Sequence, residues 1–185
     1  HYKMPVFELI LDSLAVTGPM ALIAMLFALV ISLPLGIYAA RHQNQPGDVT
    51  VMFGTQLGLA TPEFWFGILL TLLFSVKLGW FSAGGFPGWS TDFWGSFKAL
   101  LLPAFALGVN RASILTRLTR SSMLEVLRED YVRTARAKGL KDRTVVYVHA
   151  LRNALVPVLT IMGLQLGQLL AGAIIIENVY FLPGL

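Results

Sequence analysis

The side chains able to do chemistry fall into three groups. The densest runs from Arg133 to Arg143, where Arg133, Arg136, Lys138, Lys141 and Arg143 face the single acid Asp142. Such a cluster binds charge, either an acidic protein face or anionic lipid headgroups. The second group is Glu63, Gln165 and Gln168, polar groups set in apolar sequence. At membrane depth such groups line a solute path or bond across a helix interface. The third is His1, His42 and His149, too dispersed for an HExxH metal site, in a chain that has no GxSxG elbow, Walker A loop or dinucleotide-binding turn. Asp142 and His149 stand seven residues apart as a conceivable acid–base pair, although a histidine there more commonly packs or donates a hydrogen bond. With no cysteine, disulfides and thiolate metal sites are excluded. These residues point to binding, with no catalytic residue, metal or cofactor expected on the chain itself.

The elements that must position them belong to a membrane protein. The 185 residues are 56% hydrophobic and 13% charged, with a mean hydropathy of +0.69. A soluble domain carries about 25% charged residues, so this chain has too little polar surface to cover itself. The formal charge of +4 is unevenly placed: Arg111, Arg117, Arg120, Arg128 and Arg152 join the cluster above, leaving only Lys3, Arg41, Lys77 and Lys98 elsewhere. That distribution reads as positive-inside loop charge, and no nucleic-acid partner is expected.

Four spans are expected, over approximately 14–38, 52–76, 97–117 and 153–176. No charge interrupts Ser13–Ala40, long enough at 1.5 Å rise per residue to cross about 30 Å of hydrocarbon. Pro19 and Pro34 fall near its ends, and Gly36 permits close helix contact. Pro62 predicts a break near Thr61 in the second span. Glu63, just beyond, either faces the bundle interior or a watery path, or is protonated, or lies near the interface. The third span is long enough only if it runs past Arg111. Beyond it, MLEVLREDY reads as a continuing amphipathic helix with Met123, Leu124 and Leu127 on its apolar side, and Glu125, Glu129 and Asp130 near enough to pair with Arg117 and Arg120. In the fourth, Gly163, Gly167, Ala171 and Gly172 form a small-x-x-x-small pattern.

Between the second and third spans, LGWFSAGGFPGWSTDFWGSF reads as an interfacial aromatic loop. If all four spans cross, the positive-inside bias puts both ends outside and 118–152 in the cytoplasm. Within that loop Gly139 separates two stretches that each read as helix. One reading is a pair of solvated helices joined by a turn; the other is a short helix presented to a partner.

The residues of this loop resemble the inner-membrane permeases of bacterial ABC importers, in the dipeptide, oligopeptide and nickel group. DYVRTARAKGL followed by HALRNALVPVLT is similar to that group's coupling-loop signature, and LPLGIYAA, TPEFW, LLPAFALG, TRLTRSSMLEVL and ENVYFLPGL agree along the chain. Of the broader EAA-x3-G-x9-I-x-L-P importer pattern, only Ala135, Gly139 and Leu151 are kept, the replacements being those of the peptide and nickel group. The resemblance implies an all-α polytopic fold, the type I ABC importer permease core, with about four of six expected transmembrane helices present. The chain then reads as a single permease domain, a fragment lacking the first and last spans.

It further implies that Arg133, Thr134, Ala135, Arg136, Lys138, Gly139, Leu140 and His149 form the loop that docks on an ATPase, and Glu63, Gln165 and Gln168 are candidates to line the pathway. The implied partners are a second homologous permease, two ABC ATPase subunits that use ATP, an extracytoplasmic solute-binding protein and the lipid bilayer of the bacterial inner membrane. The expected task is import of di- or oligopeptides, with nickel or another small solute as alternative cargo. A non-transporting membrane scaffold is the competing class, and a membrane enzyme using His149 or Glu63 a third.

Overall fold

A computed structural model describes residues 6–184, with side chains from Ile10 onward; His1, Lys3 and Leu185 lie outside the described residues. Among the described residues the regular elements are all helical. They are α1 Val6–Arg41, α2 Pro46–Ala60, α3 Glu63–Leu70 continued by a π-helical stretch Thr71–Lys77, and α4 Phe93–Val126. Then come α5 Asp130–Ala137, α6 Asp142–Thr144, a second π-helical stretch Val145–Ala150, and α7 Leu151–Val179. Three helices are long and apolar enough to cross a membrane, or four if α2 and α3 with its extension form one span. That pair is bent by 97°. The break falls where Pro62 predicts it: α2 ends at Ala60 and Pro62 precedes α3 in extended conformation.

Two prolines lie inside a helix. Pro19 and Pro34 sit within continuous α1, which runs from Val6 to Arg41. A membrane helix tolerates the missing N–H where neighbouring helices and side-chain hydroxyls satisfy the freed carbonyls. The Ala15 carbonyl, four residues before Pro19 and so without its helical donor, accepts instead from Trp89 Nε1–H at 2.8 Å.

The chain forms two compact units. One comprises residues to Phe27, Thr61–Asn110 and Gln165 onward. Its core is assembled by small residues: a Cβ at Gly108 would lie 2.9 Å from the Ala24 carbonyl oxygen, and Gly67 lies against Tyr180, Ile176 and Ala106. Phe105 packs edge-on to Phe27. Buried Tyr180 fastens two segments, donating its hydroxyl to the Gly67 carbonyl at 2.9 Å while its own carbonyl accepts from Gly85 N–H. Trp89 donates to the Ala15 carbonyl at 2.8 Å, so the aromatic loop is anchored by backbone acceptors.

The second unit comprises Ala28–Ala60 and Arg111–Leu164. Here Gly36 allows the close contact its sequence position suggests: a Cβ there would lie 2.6 Å from Thr119 Cβ and 2.9 Å from the Thr116 carbonyl oxygen. An apolar cluster of Ile37, Ala40, Met123, Val132, Ala135, Val145, Val146, Ala150 and Ala154 ties α1, α4, α5 and the start of α7 together. This cluster is what positions the basic turn.

Candidate functional site

α4 does not run on through MLEVLREDY as one helix. It ends at Val126, and tight i to i−3 bonds from Arg128 to Glu125 and from Glu129 to Val126 close its last turn. Glu129 then takes an extended conformation and α5 starts at Asp130, an acid at a helix N-terminus where the macrodipole favours it. Breaking the helix here lets the chain fold back so that Val132 and Ala135 enter the apolar cluster. Leu124 and Leu127 pack against the same cluster and Met123 lies within it, as their spacing predicts.

α5 is consequently two-faced. Val132 and Ala135 are buried, whereas Arg133, Thr134, Arg136, Lys138, Gly139 and Leu140 are exposed. Ala135 therefore packs inward and presents no side chain to solvent. Arg133 meets Asp130 at 3.4 Å with both side chains well exposed, a contact of little energetic weight.

The helix closes in a Schellman turn. Gly139 N–H bonds the Arg136 carbonyl and Leu140 N–H bonds the Ala135 carbonyl, with Gly139 at φ +78°. A Cβ at Gly139 would meet nothing within 4 Å, so the requirement for glycine here is conformational, the left-handed backbone that side chains disfavour.

After the turn, Asp142 accepts from Arg41 at 3.1 Å and from Arg136 at 3.5 Å. It joins the ends of α1 and α5 and makes no hydrogen bond with His149. A crevice of about 340 Å³ beside it is lined by Arg41, Arg128 and Arg136 against this one carboxylate, an electrostatic setting that favours anionic groups. His149 lies half-buried in the π-helical stretch, and its carbonyl accepts from the Tyr131 hydroxyl at 3.4 Å. The same hydroxyl accepts a 2.8 Å hydrogen bond from Asn153 Nδ2.

Arg117 and Arg120 find partners on α2 instead of the nearby acids. Arg120 makes a two-pronged contact with Asp48, Nε to Oδ1 and the terminal nitrogen to Oδ2, each 2.6 Å. Asp48 also accepts from Asn44 N–H at 2.9 Å, and Asn44 is left-handed at φ +62°. Arg117 donates to Gln56 Oε1 at 3.0 Å. The shared face of Arg117 and Arg120 is real, but it meets α2. Their spacing shows that they share a face and carries nothing about a carboxylate 72 residues away.

Of the pathway candidates, Glu63 is half-buried in the first turn of α3, Gln165 is buried and Gln168 exposed on α7. Gly163 and Gly167 of the small-residue pattern face open space, since a Cβ added at either would meet nothing within 4 Å. Among the described residues no group of three His, Asp or Glu could hold a metal ion.

Comparison with known proteins places this arrangement. The family model described as "Binding-protein-dependent transport system inner membrane component" matches residues 32–185. The chain is 44% identical over 183 residues to the oligopeptide transport system permease protein AppB of Bacillus subtilis, covering 98% of this chain and 58% of that protein. It is 46% identical to the di/tripeptide permease protein DppB of Pseudomonas aeruginosa, covering 91% and 56%. For the dipeptide permease protein DppB of Escherichia coli the values are 38%, 99% and 61%. The chain thus spans less than two thirds of the length of these relatives. A crystal structure of an amino acid ABC transporter with histidines shares the fold, with a TM-score of 0.62 over 94% of this chain and 73% of that one at 15% identity. With a family match through the basic turn and to the end of α7, and relatives aligned along nearly all of its length, the chain belongs to the inner membrane components of binding-protein-dependent transport systems.

Proposed function

We propose that the chain is the membrane-embedded part of a permease subunit in an ATP-driven importer of di- or oligopeptides, working beside a second permease, two ATPase subunits and an extracytoplasmic solute-binding protein. The cargo class rests on the relatives, which are described as oligopeptide, dipeptide and di/tripeptide permeases. The observation that carries the coupling role is α5 itself. A short basic helix is seated by Val132 and Ala135, capped by a glycine turn, and leaves Arg133, Thr134, Arg136, Lys138 and Leu140 facing outward. A rigid element of this kind can receive a push on its outer face and pass it to helices that share its core. In this reading residues 118–152 are cytoplasmic, and ATP is bound and hydrolysed by the partner subunits.

The reading makes a direct prediction about Gly139. In the full-length permease, Gly139→Val places a β-branched residue at φ +78°, at about 1–2 kcal/mol of local strain, and distorts the turn that presents α5. The expected outcome is permease still inserted in the membrane but co-purifying poorly with its ATPase, with ATP-dependent peptide uptake by vesicles reduced at least tenfold. Full assembly and uptake in that variant would remove the docking role from this turn.

A further inference from the structure

We propose that Tyr131 is the pin through which movement of α5 reaches α7, with Asn153 as its partner. The inference rests on the coupling reading above. Tyr131 occupies the second residue of α5 and Asn153 the third of α7, and Asn153 Nδ2 donates to the Tyr131 hydroxyl at 2.8 Å. The hydroxyl in turn reaches the His149 carbonyl at 3.4 Å, so one side chain spans the junction where the π-helical stretch becomes α7.

Three features favour this contact over the other ties of α5. First, Val132 and Ala135 seat the helix by apolar packing, which passes a shift to the whole cluster but is non-directional. Second, the ion pairs of α5 are long: Arg136 to Asp142 is 3.5 Å, and at an exposed site, as the tyrosine contact also is, salt screens a charge pair but not a neutral bond. The tyrosine contact is neutral, directional and shorter. Third, the covalent route from α5 to α7 is deformable. It passes through the left-handed Gly139, the three-residue α6 and a π-helical stretch, a rare element that is frequent at functional sites. A push on α5 transmitted along that route is absorbed by dihedral changes, whereas one side-chain bond bypasses it. Immediately beyond Asn153 lies the uncharged run to Ile176, so the pin sits where a push enters the membrane-spanning segment.

Tyr131 and Asn153 are positioning residues, in contact with neither ATP nor cargo. The test uses the full-length permease reconstituted in proteoliposomes with its partner permease, ATPase subunits and solute-binding protein. Dipeptide accumulated per ATP hydrolysed is measured for the wild type, Tyr131→Phe, Asn153→Leu and the double variant. Each single change should lower that ratio about three- to tenfold while ATP hydrolysis and assembly persist, and the double variant should be no worse than the lower single. An unchanged ratio in Tyr131→Phe overturns the proposal, as does a double variant whose losses multiply. Should Tyr131→Phe fail to assemble, Asn153→Leu removes the same bond from the other side and gives the same reading; loss of assembly in both overturns transmission in favour of a purely structural tie. A wild-type complex without ATP-dependent accumulation would instead overturn the import reading itself.

Discussion

Two carboxylates in the second unit each take an arginine from a distant helix, and they do so in opposite ways. Asp48 has a side chain only 4% exposed and holds Arg120 through two parallel bonds of 2.6 Å, with Asn44 N–H as a third donor. Asp142 is 53% exposed and shared between Arg41 at 3.1 Å and Arg136 at 3.5 Å. The first geometry is the bidentate kind that fixes orientation as well as distance. The second is a loose, screened bond that two guanidiniums can trade. Their placement fits a division of labour: the tight pair locks α2 to α4, while the loose one lies at the turn proposed to move. The end of α5 tied to α1 through this loose pair can shift against it, while α2 stays fixed to α4.

The contrast is broken most directly at the tight pair. Asp48→Asn removes the counter-charge of half-buried Arg120 at a site where the carboxylate itself is buried, and the expected loss of stability is about 3 kcal/mol. A large fall in the melting temperature of the purified full-length permease checks it. A variant as stable as the wild type would mean that Asp48 is no clamp.

The seam beside it is the next largest effect. Gly36→Leu drives a side chain into Thr119 and the Thr116 carbonyl, and overpacking of this kind destabilises by about 1–3 kcal/mol. Gly54, which has open space around it, supplies the control, since Gly54→Leu should leave the melting temperature almost unaltered.

The smallest effect is expected at the loose pair. Asp142→Asn should change stability by less than about 1 kcal/mol, and the difference from wild type should vanish as salt is raised. If Asp142→Asn lowered the melting temperature as far as Asp48→Asn, the contrast between clamp and tether would collapse.

Several of these features were legible in the residues alone. Pro62 marked the break between α2 and α3 because proline restricts its predecessor wherever it occurs. Gly139 marked a turn because a lone glycine between two helical patterns suits a left-handed cap. Gly36 suggested close packing, and Thr119 turned out to lie against it. The end of α4 was less legible. Met123, Leu124 and Leu127 keep a helical period, yet the helix stops at Val126, since burying Val132 and Ala135 outweighs continuing the pattern. Tyr131 and Asn153, 22 residues apart, gave no sequence sign of meeting, and neither did Arg120 and Asp48.

What the sequence determined by itself is therefore the membrane class, the basic turn, its glycine cap and, through the motifs around it, the family. Those depend on composition and on local backbone preference, which residues carry wherever they are placed. The tertiary structure alone decided which carboxylates Arg41 and Arg120 meet, that Ala135 faces inward, and that Asn153 of α7 donates to the Tyr131 hydroxyl of α5. Partner choice depends on which distant surfaces the apolar cluster draws together. A hydrogen bond is short enough that only the packed arrangement of α1, α4, α5 and α7 selects its two ends.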